Sequence, residues 1–132
     1  MKFQRSVIFV LVAVALVALL AACSTGTKPT SGGSSGGSRT INVAATEFAF
    51  NPNKFNATVG QKLTFRVTNK GTVEHTFVIM SPDGSQELAK LSTQPGETKP
   101  LEFTPSAAGT YPIDCNIAGH KEAGMTGELV VK

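Results

Sequence analysis

From Thr40 to Lys132 the sequence is composed almost wholly of short segments in which apolar and polar residues alternate, and that period of two confines it to β-structure. Lys62-Leu-Thr-Phe-Arg-Val-Thr68 shows it most cleanly. Leu63, Phe65 and Val67 fall on one face, and Thr64, Arg66 and Thr68 on the other. Thr40-Ile-Asn-Val-Ala44 alternates in the same way, and Asn51-Pro-Asn53 then breaks the chain. His75-Thr-Phe-Val-Ile-Met80 is a β-branched and aromatic run between the turns Asn69-Lys-Gly71 and Ser81-Pro-Asp-Gly84. Thr98 to Phe103, Thr110 to Cys115 and Gly127 to Lys132 supply further strands, while Gln86 to Leu91 reads as a short helix or as irregular. Seven to eight short strands with turns roughly every 8–12 residues predict an all-β, antiparallel Greek-key sandwich or barrel.

The first residues obey different rules. Met1, Lys2 and Arg5 precede an unbroken apolar run from Val7 to Ala22, 16 residues long. A positive start, a short apolar stretch and small residues at its close describe an export signal. The run is shorter than the ~18 residues of a spanning helix, which weighs against the alternative of an uncleaved membrane anchor. Residues 24 to 39 contain only Ser, Thr, Gly, Lys, Pro and Arg. With no apolar side chain to offset the entropy of ordering, that stretch is expected to be a flexible leash, about 20–24 Å from end to end. The expected organisation is therefore a signal at 1–22, a cysteine and linker at 23–39, and one domain at 40–132, enough for a single core.

Leu20-Ala21-Ala22-Cys23 resembles the lipobox of bacterial lipoproteins. That resemblance implies cleavage before Cys23, acylation of its sulfur and tethering to an extracytoplasmic membrane face, periplasmic or outer-surface. Ser24 follows the cysteine, so no aspartate marks retention at an inner membrane. Several acyl chains, at about 0.8 kcal/mol per buried methylene, would hold the domain firmly.

The formal charge of +3 misleads about partners. Lys2, Arg5, Lys28 and Arg39 precede Thr40, leaving eight Lys and Arg against nine acids in the domain, or about −1. No basic stripe with interleaved aromatics occurs, which excludes nucleic acid as an expected partner.

If Cys23 is acylated, Cys115 stands alone in an exported domain: an intermolecular disulfide partner, a reactive thiol or a metal ligand. Its neighbours favour the last. The domain has two histidines, and Cys115-x4-His120-x4-Met125 lies forty residues beyond the other, His75. His75 shares a strand face with Phe77 and Ile79, and Cys115 with Tyr111 and Ile113, so both point inward. If those strands run antiparallel, the start of one meets the close of the other at one pole. The loop from Asn116 to Gly124 then folds over that pole, with Gly119 and Gly124 allowing tight turns before His120 and Met125. Singly these residues have plainer roles: a hydrogen-bonded histidine, a loop histidine, a small buried thiol and core filler. Jointly they make a metal set. Two imidazoles, a thiolate and a weak axial thioether suit one copper ion in both oxidation states. Zinc accepts Cys and His but prefers more thiolates or an open water position, and has no use for the methionine.

With those residues in place the domain resembles the cupredoxins, the plastocyanin and azurin family. The likeness extends over Phe48-Ala-Phe50-Asn-Pro52, Val59-Gly60, Asn69-x-Gly71 before His75-Thr-Phe77, Pro95-Gly96, Gly109-Thr-Tyr111, and the closing Gly119-His120 and Gly124-Met125-x-Gly127. The spacing from cysteine to histidine is most similar to that of the auracyanins. The resemblance implies a Greek-key sandwich with a type 1 copper site in which His75, Cys115 and His120 are equatorial and Met125 axial. It also implies electron entry at a partly exposed His120, inside an apolar docking patch of Ile117, Ala118, Ala123 and Gly124 for transient redox partners. Two positions depart from the family pattern: Thr76 replaces a common Asn whose side chain braces the cysteine loop, a brace that Thr is expected to replace in part, and Ala118 replaces a common Pro. Asp114 should point outward and is given no role.

The expected function is thus a monomeric, non-enzymatic, membrane-tethered one-electron carrier. The alternative is a copper-binding protein for delivery or storage, weakened by the lack of Met-rich or His-rich tracts. An oxidase or nitrite reductase needs further histidines for a second copper centre, and a binuclear copper centre a second loop cysteine.

Overall fold

The computed structural model describes residues 37–132. The expected signal, Cys23 and most of the linker lie outside the described residues.

Nine strands follow one another: β1 Arg39–Thr46, β2 Ala49–Asn51, β3 Lys54–Ala57, β4 Leu63–Asn69, β5 His75–Met80, β6 Glu87–Thr93, β7 Thr98–Phe103, β8 Gly109–Asp114 and β9 Thr126–Val131. They form two sheets, one in the order β2-β1-β4-β7 and the other β3-β9-β8-β5-β6. The all-β sandwich expected from the alternation is present. Two pairs, β1 with β4 and β3 with β9, run parallel within an otherwise antiparallel scheme.

The inner faces are those the period of two selected. Leu63, Phe65 and Val67 are fully buried in β4, and Ile41, Val43 and Ala45 line the same layer from β1. They meet Phe77 and Ile79 of β5, Tyr111 and Ile113 of β8, and Leu129 and Val131 of β9. Phe65 sits 5.3 Å from Phe55 and 5.2 Å from Phe77, ring centre to ring centre, joining the sheets through an aromatic cluster. Each such side chain contributes about 1.5–3 kcal/mol on burial.

Two expectations need correction. Gln86 to Leu91 is neither helical nor irregular, for β6 occupies Glu87–Thr93 and pairs with β5 from His75↔Thr93 to Met80↔Glu87. Leu91 and Thr93 are buried at alternate positions, and this pairing overrides the helix propensity of Glu-Leu-Ala-Lys-Leu. The break at Asn51-Pro-Asn53 is real, but short strands β2 and β3 flank it, making nine strands among the described residues where about seven to eight are expected.

One turn bears directly on the site. Asn69, 1% exposed, ends β4 and donates from Nδ2 to Val73 O (2.7 Å) and Thr93 O (2.9 Å), while its Oδ1 accepts from Gly71 N (2.9 Å). One amide side chain thereby fixes the loop that delivers His75 to the start of β5.

Candidate metal centre

β5 and β8 are antiparallel neighbours, with Val78 opposite Asp114 and Ile79 opposite Ile113. The start of β5 and the close of β8 therefore coincide at one pole. His75 opens the first strand, and Cys115 directly follows the second. Both are buried, at 1% and 0% exposure.

The segment after Cys115 is a series of turns held by its own backbone. His120 N donates to Ile117 O (3.1 Å), Ala123 N to Gly119 O (3.0 Å) and Gly124 N to Lys121 O (3.0 Å). Gly119 at φ 84° and Gly124 at φ 103° occupy the left-handed region that side chains resist, as the tight turns before His120 and Met125 require. Met125 N donates to His120 O (3.0 Å), and Cys115 N donates to Met125 O (3.1 Å). The loop thus closes on itself, with Met125 fully buried beside the cysteine it is bonded to.

His75 Nδ1 and His120 Nδ1 are 3.3 Å apart, and Cys115 Sγ lies 3.4 Å from His120 Nδ1. One ligand atom from each of the three residues lies within 4.8 Å of the others. A point about 2.0–2.4 Å from all three meets those distances, the range of metal bonds to imidazole and thiolate. Burial holds His75 below the ordinary histidine range, and nearby His120 pushes it the same way against a weaker pull from Glu47. A neutral ring keeps a lone pair free for coordination. Two borderline nitrogens and a soft sulfur, out of water and next to a buried thioether residue, fit copper.

Around these donors lies a further layer, of which the family resemblance disclosed only the brace at Thr76. Thr76, at the position of the common Asn, directs both its backbone N and its Oγ1 toward Cys115 Sγ at 3.4 Å. Its hydroxyl also donates to Asn116 Oδ1 and accepts from Asn116 N, each at 2.9 Å. Asp114, expected outward and idle, is 5% exposed and binds Lys121 Nζ from its Oδ2 at 2.6 Å. Phe48 sets its ring edge-on to His120 with centroids 5.0 Å apart, yet remains 41% exposed. Strand parity reports only which face a residue takes, so the loop lysine beneath Asp114 was invisible to it. Phe48 comes from a connection with no period at all. Ile117 is partly buried, and Ala118, Ala123 and Gly124 are exposed beside half-buried His120.

Residues 11–131 match the family described as cupredoxin-like domain. The chain belongs to that family. A plastocyanin of Mercurialis perennis is 34% identical over 94 residues, covering 64% of this chain and 89% of its own. The copper-resistant cuproprotein CopI of Rubrivivax gelatinosus is 29% identical over 112 residues, covering 71% and 67%. Auracyanin A, a blue copper protein of Chloroflexus aurantiacus, superposes with a TM-score of 0.64 at 26% identity, covering 72% of this chain and 99% of its own. The cupredoxin-like membership and the likeness to an auracyanin both agree with the reading of the loop spacing.

Proposed function

We propose that this cupredoxin-like domain holds one copper ion on His75, Cys115, His120 and Met125 and works as a one-electron carrier. The observation that carries the reading is the convergence of two imidazole nitrogens and one thiol sulfur at 3.3 and 3.4 Å in a buried pole. Bound copper would supply a one-electron couple between Cu(I) and Cu(II). What the chain contributes is rigidity. His75 and Cys115 are fixed at the ends of paired strands, and the His120 loop is fastened by its own backbone bonds. Donors that keep one arrangement in both oxidation states lower the reorganisation that electron exchange requires. His120, half-buried behind Phe48 and beside exposed Ala118 and Ala123, is the donor closest to solvent and the natural place for a small, transient docking contact. Both histidines of the chain belong to this set, leaving none for a second copper centre, so the proposal is a carrier and not an enzyme.

The likeness to CopI favours copper handling as a second reading. Potentiometric titration of the copper-loaded domain with and without an apo-acceptor separates the two. A reversible one-electron couple with the ion retained supports the carrier; prompt release of Cu(I) to the acceptor supports handling. We place the domain outside the cytoplasm on a lipid at Cys23, supported by the signal-like run and Leu20-Ala21-Ala22-Cys23. Membrane labelling with radioactive palmitate, lost in Cys23→Ser, is the expected result.

A further inference from the structure

The Thr76 hydroxyl has one proton and two acceptors. Cys115 Sγ lies 3.4 Å from Oγ1, and Asn116 Oδ1 lies 2.9 Å from it. The oxygen's position is not in play, because Asn116 N donates to it at 2.9 Å and Thr76, 5% exposed, is packed on β5. Only rotation about the Cβ–Oγ1 bond remains. That rotation chooses whether the sulfur is bonded by the hydroxyl as well as by Thr76 N, which stays 3.4 Å away in either case. Thr76 and Cys115 are buried, so water is kept from the sulfur side of that choice, and the stronger acceptor at any moment takes the proton.

We infer that Thr76 is a positioning residue for electron transfer, its hydroxyl turning toward Cys115 Sγ when the sulfur is most negative and toward Asn116 Oδ1 when it is least so. The inference rests on the proposed copper reading, since it needs Cys115 as a metal-bound thiolate whose charge changes with oxidation state. In the reduced state the thiolate keeps more of its charge and draws the hydroxyl. In the oxidised state charge moves from sulfur toward the metal, and the amide oxygen becomes the better acceptor. The hydrogen bond is therefore added preferentially to the reduced form, which raises the reduction potential. An asparagine at this position has no hydroxyl rotor and cannot alternate in this way. Neither bond breaking nor proton transfer is involved, as the proton stays on Oγ1 throughout.

Three variants of the copper-loaded domain test this, each read by potentiometry and by the energy of the sulfur-to-copper absorption band. Thr76→Val keeps the shape and the backbone donor but removes the hydroxyl. It should lower the potential by about the equivalent of a tenfold change in the oxidised-to-reduced ratio, about 59 mV for one electron, and leave the band in place, because the band belongs to the oxidised form in which the hydroxyl is already turned to Asn116. Thr76→Ser, which keeps the rotor, should restore the potential. Asn116→Ala removes the competing acceptor, leaves the Asn116 amide in place, and should weight the hydroxyl toward sulfur in both states. Its band should therefore move to higher energy, while that of Thr76→Val stays in place. In the metal-free protein, exchange of the Asn116 amide should be fast in Thr76→Val and slow in Thr76→Ser, showing that the oxygen is in place whatever the metal does. A blue Thr76→Val protein with an unchanged potential overturns the inference while leaving the copper reading intact. So does a band that moves to lower energy in Thr76→Val, the mark of a hydroxyl already bonded to sulfur in the oxidised state. A wild-type domain without the band overturns both together.

Discussion

Lys121 Nζ lies 2.6 Å from Asp114 Oδ2, so the residue after His120 is bonded to the residue before Cys115. The carboxylate is 7% exposed as a side chain and the lysine 58%, so the acid pays the desolvation and the base stays wet. The pair fastens the ligand loop across the outer face of β8, and it holds Lys121 above the ordinary lysine range.

Lys121→Met strands the buried carboxylate. The expected loss is about 1–2 kcal/mol in the metal-free domain, less than for a fully buried pair because Lys121 is solvated. Adding Asp114→Asn should recover part of it. Urea unfolding of the single and double variants checks this; equal stability of wild type and Lys121→Met would show that the carboxylate does not depend on the lysine.

Phe48 shields one side of His120 while standing largely in solvent. Phe48→Ala should cost about 0.5–1.5 kcal/mol, the value of an aromatic edge contact. The larger effect should be faster stripping of bound metal by a small chelator, because the half-buried ligand is uncovered. Phe48→Leu should keep most of the protection. Chelator kinetics indistinguishable between wild type and Phe48→Ala would remove this role.

Gly127 is the second residue of β9, two after Met125, and a Cβ there would meet Asn53 O at 2.6 Å. Neither backbone can yield easily, because Glu128 N donates to that same Asn53 oxygen at 2.8 Å. Gly127→Ala is expected to destabilise the fold by about 1–3 kcal/mol through overpacking, read as a lower thermal midpoint with unchanged metal stoichiometry.

Asp83, in the turn between β5 and β6, accepts from Ser81 Oγ (2.5 Å), Ser85 N (3.1 Å) and Ser85 Oγ (2.9 Å). Those bonds, Ser81's first, lower its pKa from 3.8 to about 2. A carboxylate depressed on folding contributes stability that is complete above its unfolded pKa and is lost as pH falls toward its folded one. Stability should therefore drop as pH falls from about 4 to about 2, with net proton uptake on unfolding. Asp83→Asn should flatten that part of the curve, and thermal melts across the interval measure it.

Strand parity placed His75 and Cys115 on inner faces, and the antiparallel pairing of β5 with β8, a condition the alternation left open, brings them to one pole. Gly119 and Gly124 took the backbone conformations that a ligand loop needs. These features are local, and a period or a residue type records them. The contacts of Asp114 with Lys121, Thr76 with Asn116 and Phe48 with His120 are not local. Each joins a loop to a strand or to another loop, where no periodicity carries the partner's identity. β6 was missed for a related reason: its sequence favours a helix, and only the β5 edge makes it a strand.

Titration of the metal-free domain with Cu(II), followed by visible absorption, decides whether these four side chains hold copper. An intense blue band should saturate at one equivalent, disappear in Cys115→Ser, and persist in Met125→Leu with a higher reduction potential. A domain that stays colourless with Cu(II) while binding one equivalent of zinc would contradict copper binding at this site.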